Sequence, residues 1–299
     1  MLSYTGRRNL YGKLTDDTST ANLSYGDTLM NEYEKRILNK YNLSFLEDTY
    51  TGATVASQQF YNLPHNIKKL IASPTITVGT TKYSCAEAPN KRFWDALNDV
   101  VQTSDVPQYF FIYEGKVGFY PTPSTSSNVI TISYLKTQKD LSVADYVTGS
   151  IVSITNAATT VTGTGTTWTG AMAGRYIKIT ADNSTTTGDG DWYKIASVTS
   201  NTVLELVNSY TGTTIAAATQ AYTIGQMSAM PDGYDNLPIY HAAFIYWLEN
   251  GDLNKSDRFK NQRDEMDIQL ISDQGNKTTD PTISDDSIGL KNPNLYIRQ

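Results

Sequence analysis

Residues 148–226 carry only seven charged side chains, Arg175, Lys178, Asp182, Asp189, Asp191, Lys194 and Glu205, and roughly a quarter of the residues are Thr. Thr fits the pleated, half-buried surface of a sheet. The stretch divides into short runs, GSIVSITN, TTVTGTG, GRYIKITA, DWYKIASVTS, NTVLELVN and QAYTIGQ. Turn signals at Gly163, Gly165, Gly170, Gly188, Gly190, Ser200-Asn201 and Gly212 separate them. Spacing of this kind suits a small β-barrel or sandwich. About 75–80 residues suffice for an independent domain. The reading is a β-domain at 148–226 inserted into a host made of 1–147 and 227–275, with 276–299 as an extended C-terminal tail.

The host mixes both periods. Residues 1–23 are polar and show no repeat, so they read as an arm. Ser24-Tyr25-Gly26-Asp27 has the form of a helix start, a hydroxyl cap followed three residues later by a carboxylate. Leu29, Met30, Tyr33, Ile37, Leu38 and Tyr41 then recur at three- and four-residue steps, which predicts an amphipathic helix near 25–42. From Leu43 to Tyr83 short runs of β-branched and aromatic residues predict strands. A short helix is expected at Arg92–Asn98, with Phe93, Trp94 and Leu97 as its apolar face. QYFFIYEGKVGFYPTP predicts a hairpin turning at Glu114-Gly115-Lys116. In VITISYLK, Ile130, Ile132 and Tyr134 alternate with Val129, Thr131 and Ser133, the mark of a half-solvated antiparallel strand. Two more helices are expected, one from Asn236-Leu237-Pro238 to Asn250-Gly251 and one over Asn254–Ser272. The expected fold class is α+β: a bundle of about three helices, an antiparallel β-domain and the inserted barrel or sandwich.

Composition narrows the function. A net charge of −6 argues against a protein that wraps duplex nucleic acid. A single cysteine, Cys85, excludes an intramolecular disulfide framework and a Cys-rich zinc site. No apolar run reaches the length of a membrane span, and the N-terminus lacks the apolar core of a signal peptide. The expectation is a soluble protein made in the cytoplasm, with no membrane association.

Motifs for chemistry are scarce. P-loop, H-E-x-x-H and G-x-S-x-G patterns do not occur. Gly163-Thr164-Gly165 reads as a turn. Gly188-Asp189-Gly190-Asp191 could offer oxygens to Ca²⁺ but lacks the spacing of a full ligand set, so a solvated turn is the reading. Asp285-Asp286 reads as solvated charge. His65, His241 and Cys85 read as structural. No catalytic residue, cofactor or metal is expected, and the chain reads as a non-enzyme.

Two segments suggest contacts. Arg7, Arg8 and Lys13 form a small basic cluster that could meet an acidic surface or DNA phosphates, or simply be solvated. The tail carries Ile288, Leu290, Leu295, Tyr296 and Ile297. Apolar residues at a chain end call for a partner surface, so docking on a neighbouring subunit or another protein is expected.

The element order, with EGKVGFYPTPSTSSNVITISYLKTQKDL and, after the β-rich insertion, MPDGYDNLPIYHAAFIYWLENGDLNKSDRFKNQRDEMDIQL, resembles the head-to-tail connector (adaptor) proteins of tailed bacteriophages. The resemblance rests on Gly118–Leu141 and on Met230–Leu270. It implies a virion structural protein at the head–tail junction, forming a ring, usually dodecameric, beneath the portal. It implies contact with portal protein and tail proteins (nozzle, tube or fibre), and genomic DNA passing through a helix-lined channel without sequence-specific binding. The tail, 276–299, would be the docking extension. The alternative is a tail fibre or capsid decoration protein that binds host carbohydrate through Trp168, Tyr176, Trp192 and Tyr193.

Overall fold

The computed structural model describes residues 1–181, 188–216 and 219–274. The chain folds as two compact units: Met1–Glu34 with Asp140–Leu270, and Lys35–Lys139 with the segment from Ile271. The expected partition placed its cuts elsewhere. Residues 148–226 fall in the same unit as the N-terminal helix and most of the C-terminal pair, because hydrogen bonds from the first residues of the chain fasten the two together.

In the first unit, the N-terminal residues are not an arm. Helix α1 (Tyr4–Thr15) starts at Ser3, whose hydroxyl accepts from the Gly6 N–H at 3.2 Å. Helix α2 (Thr20–Lys40) begins at Thr20, not at Ser24, and Ser19 caps it by accepting from the Asn22 N–H at 3.3 Å. Ser24 to Asp27 lie inside the helix, where the S-x-x-D spacing has no capping work to do.

After the β-rich segment come the two C-terminal helices, α4 (Leu237–Glu249) and α5 (Leu253–Gln274). Pro238 sits in the first turn of α4, where its missing N–H costs nothing. Gly251, at φ 79°, follows its end. Tyr11, Met30, Ile239 and Ala242 form one buried cluster joining α1, α2 and α4. Tyr240 stacks on Phe259 to join α4 to α5. The helical part thus has four members rather than three, because α1 joins the set.

Between α2 and α4 in this unit lie six strands: β10 (Ser150–Ile154), β11 (Thr160–Thr164), β12 (Tyr176–Ile179), β13 (Trp192–Ser200), β14 (Val203–Leu206) and β15 (Tyr222–Gly225). All six fall on expected runs. The sheet runs β10-β11-β14-β13-β12-β15. Bridges Ile151↔Gln220 and Ile154↔Ile215 bring the segment before β15 back to β10, so the sheet curls toward closure. Ile151, Val161, Trp168, Ile177, Ile195, Leu204 and Ile224 fill its interior. The Trp168 indole donates to the Tyr222 hydroxyl at 2.9 Å, which satisfies the one polar atom that ring brings inside.

The second unit holds β1 (Glu47–Ala53), β2 (Phe60–Asn62), β3 (Ile67–Leu70), β4 (Thr75–Val78), β5 (Thr81–Ser84), β6 (Ala86–Glu87), α3 (Lys91–Asn98), β7 (Tyr109–Tyr113), β8 (Lys116–Tyr120) and β9 (Val129–Lys136). One sheet is ordered β1-β9-β4-β5 with β3 also on β9, the other β2-β8-β7-β6. The period of two in β9 is realised: Ile130, Ile132 and Tyr134 are buried. The β7–β8 hairpin turns at Glu114 and Gly115, both at positive φ (49° and 72°), the pairing that matches strand twist. Residues from both sheets, Tyr61, Ile76, Cys85, Phe110, Val117, Phe119, Ile130 and Ile132, share one core. Each large apolar side chain buried there stabilises the unit by about 1.5–3 kcal/mol.

Candidate functional site

Of the basic cluster expected at Arg7, Arg8 and Lys13, the structure withdraws Arg7 from the surface and leaves Arg8 half-buried. Arg7 is 2% exposed, and its Nη1 donates to Glu34 on α2 at 2.8 Å. A contact with DNA or an acidic partner is closed to a side chain so placed. Arg8 lies 3.2 Å from Asp27, which also accepts from the Tyr4 hydroxyl at 2.8 Å. Lys13 alone of the three is exposed. The helical turn explains this: Arg7 sits one turn before Tyr11, on the buried face of α1.

Glu34 is 1% exposed and accepts also from the Ser228 hydroxyl, whose oxygen in turn accepts from the Met230 N–H at 2.9 Å. The pairing offsets part of the cost of desolvating the two charges; either one alone would be far more expensive. Nε and Nη2 of Arg7 and Oδ1 of Asp27 lack a protein partner. Beside them Tyr4, Arg7, Asp27, Met30, Asn31 and Leu141 line a 10 Å³ cavity, about the size one water fills. Burial pushes the Asp27 carboxyl above its ordinary range, against the pull of Tyr4 and Arg8.

Carboxamides grip the chain on either side of the β-rich segment. Asn31 accepts from the Leu141 N–H and donates to the Leu141 carbonyl, both at 3.0 Å. Gln226 accepts from the N–H groups of Ser142 and Val143 and donates to the Asp140 carbonyl. Ser3 donates to Asp145 at 2.6 Å, the Asp145 N–H donates to Thr5 Oγ1, and the Tyr4 N–H donates to the Gln226 carbonyl. The entry and exit of residues 148–226 are thereby fixed to α1 and α2. Sequence reasoning missed Asn31, Glu34, Gln226 and Ser228. A signal existed for Glu34, which stands four residues from both Met30 and Leu38 and so falls on the apolar stripe of α2.

In the second unit, Phe60, Trp94, Tyr120 and Val101, with Gln59 and Asn98 among the polar groups, line a groove of about 390 Å³. Trp94 stacks on Phe111 at 5.6 Å and meets Phe60 edge-on at 6.1 Å, so the aromatic wall is fixed. At the rim Val101 is 88% exposed, and Val100 beside it 59%. Asp95 also lines the groove, and Asp99 follows at the end of α3.

The remaining candidates have structural surroundings. His241 stacks on Tyr33 at 4.0 Å, and its Nδ1 lies 3.2 Å from an Arg263 nitrogen. His65 lies in a turn. Cys85 is buried, which pushes its thiol up to about 12. Asp189 accepts from the Tyr193 hydroxyl and from the Asp191 N–H. Among the described residues no group of three or more His, Cys, Asp or Glu could hold a metal ion. Trp168 and Tyr193 belong to the core of the first unit's sheet, while Tyr176 and Trp192 are half-buried on its outer face. Ile288, Leu290, Leu295, Tyr296 and Ile297, like Asp285-Asp286, lie outside the described residues.

The model of the SU10 adaptor protein family matches residues 8–157, from within α1 through the end of β10. The chain belongs to that family. The match bears out the resemblance to phage head-to-tail adaptors and includes Gly118–Leu141; Met230–Leu270 lies beyond it. As a member of the SU10 adaptor family, the chain is a bacteriophage structural protein of the adaptor class. No curated protein matches it. Among the described residues no helix is long and apolar enough to cross a membrane.

Proposed function

We propose that this adaptor assembles as a ring beneath the portal, dodecameric as in the connectors it resembles. It extends the DNA channel and presents the surface to which tail proteins attach. The observation that carries the reading is the family match over residues 8–157. A structural rather than catalytic role agrees with the use of charged groups inside the fold: Arg7 and Glu34 are spent on packing the helices together. A net charge of −6 suits a conduit that passes DNA without gripping it. The place of action is the head–tail junction of the virion, and the partners are portal protein, tail proteins and further copies of the chain. The carbohydrate-binding alternative loses weight, since Trp168 and Tyr193 are core residues and Lys178 stands 5.0 Å over the Trp192 ring.

Electron microscopy of the purified protein, alone and mixed with its portal, tests the proposal. Rings with a central channel, alone or on the portal, are the expected result. Particles that stay monomeric or trimeric and ignore the portal would overturn it.

A further inference from the structure

We infer that the groove walled by Phe60, Trp94 and Tyr120 receives the apolar C-terminal segment, Ile288–Ile297, of a second copy of this chain. The inference rests on the ring reading and names the contact that would link one subunit to the next. A ring with one subunit type needs two different, complementary faces on every copy. The groove supplies one: an aromatic wall with a rim at Val100 and Val101 that is more exposed than apolar side chains usually are in a finished surface. The tail supplies the other, with Ile288, Leu290, Leu295, Tyr296 and Ile297 within ten residues.

Charge also matches. From Ser287 to Gln299 the tail carries Lys291 and Arg298 and no carboxylate. Asp95 borders the groove, paired with Lys91 at 2.8 Å, and Asp99 follows at the C-terminal end of α3, where the helix dipole favours a cation. Gln59 donates to the Asn98 side chain, and the pair forms a polar edge of the groove beside its aromatic wall. Twenty residues lie between Gln274, the end of α5, and Leu295, a length that can span up to about 70 Å.

The test mixes two full-length variants, Val101→Cys and Leu295→Cys, under mild oxidation. Cys85 is buried and does not compete. Each chain then has one accessible thiol, so a Val101–Leu295 disulfide can form only between copies. Docking that raises the local thiol concentration to millimolar should make this heterodimer form roughly 100-fold faster than a Thr278→Cys control. Circular dichroism of each variant checks the fold. No acceleration over the control overturns the inference. So do homodimers of Val101→Cys alone, which would mean groove facing groove. A disulfide that forms only within the doubly substituted chain would assign the groove to the protein's own tail and also overturn it. Imaging the same samples with portal separates the two proposals: rings without the crosslink remove this contact only, whereas absent rings remove the ring reading.

Discussion

The ring of Tyr11 lies where a side chain on Gly26 would be: a Cβ built there falls 2.2 Å from Tyr11 Cε1. Tyr11 is fully buried, and its hydroxyl donates to Asn22 at 2.9 Å. The glycine is a notch that lets α1 close on α2. Gly26→Ala should therefore destabilise the protein by about 1–3 kcal/mol, although alanine improves helix propensity by up to about 1 kcal/mol. Urea titration of both proteins measures the net sign; an unchanged or higher midpoint would mean the ring moves aside freely.

The Arg7–Glu34 pair should behave as a unit. Arg7→Met or Glu34→Leu alone leaves a buried charge and is expected to cost about 3–5 kcal/mol. The double variant should cost clearly less than the sum of the two. A double-mutant cycle by chemical denaturation checks this, and additivity would show that the two side chains do not sense each other.

Asp27 predicts a pH dependence. Its carboxyl is raised in the folded state, so between the ordinary Asp value and the raised one the native protein binds more protons than the unfolded chain. Its contribution is most favourable below the ordinary value and is lost as pH rises through the raised one. The stability difference, wild type minus Asp27→Asn, should fall as pH climbs from the ordinary Asp value through the raised one. A difference that rises over this range would reverse the assignment.

Cys85 should resist a thiol reagent such as Ellman's at pH 8 in the native protein and react at once in denaturant. Burial lifts its pKa to about 12, so the nucleophilic thiolate is scarce as well as shielded. Rapid labelling without denaturant would mean that the core between the two sheets opens readily.

The elements most legible in the sequence were those in which one period runs uninterrupted. Strand β9 and helices α4 and α5 are of this kind, as is the Glu114-Gly115 hairpin, where the turn residues supply the positive φ that the connection demands. Helix α1 was opaque because Gly6 and Gly12 weaken helix propensity. Its buried members, Arg7, Tyr11, Gly12 and Thr15, form an apolar stripe only once Arg7 is neutralised. That neutralisation comes from Glu34 and could not be read locally. The same holds for the Asn31 and Gln226 grips, whose partners lie over eighty residues away. The groove was half visible: the apolar face of α3 was read from its spacing, but not that Phe60 and Tyr120 would come to stand beside Trp94.

The long separation between α1 and its partners beyond α2 has a consequence for synthesis. The carbonyl that meets the Tyr4 N–H belongs to Gln226, and Ile239 and Ala242 complete the cluster around Tyr11. A ribosome adding about 5–20 residues per second needs roughly 10–50 s to make that much chain. For that interval α1 has only α2 to pack on, through Gly26, Met30 and Glu34. The packing around Tyr11 is thus completed only after Ile239 and Ala242 have been made.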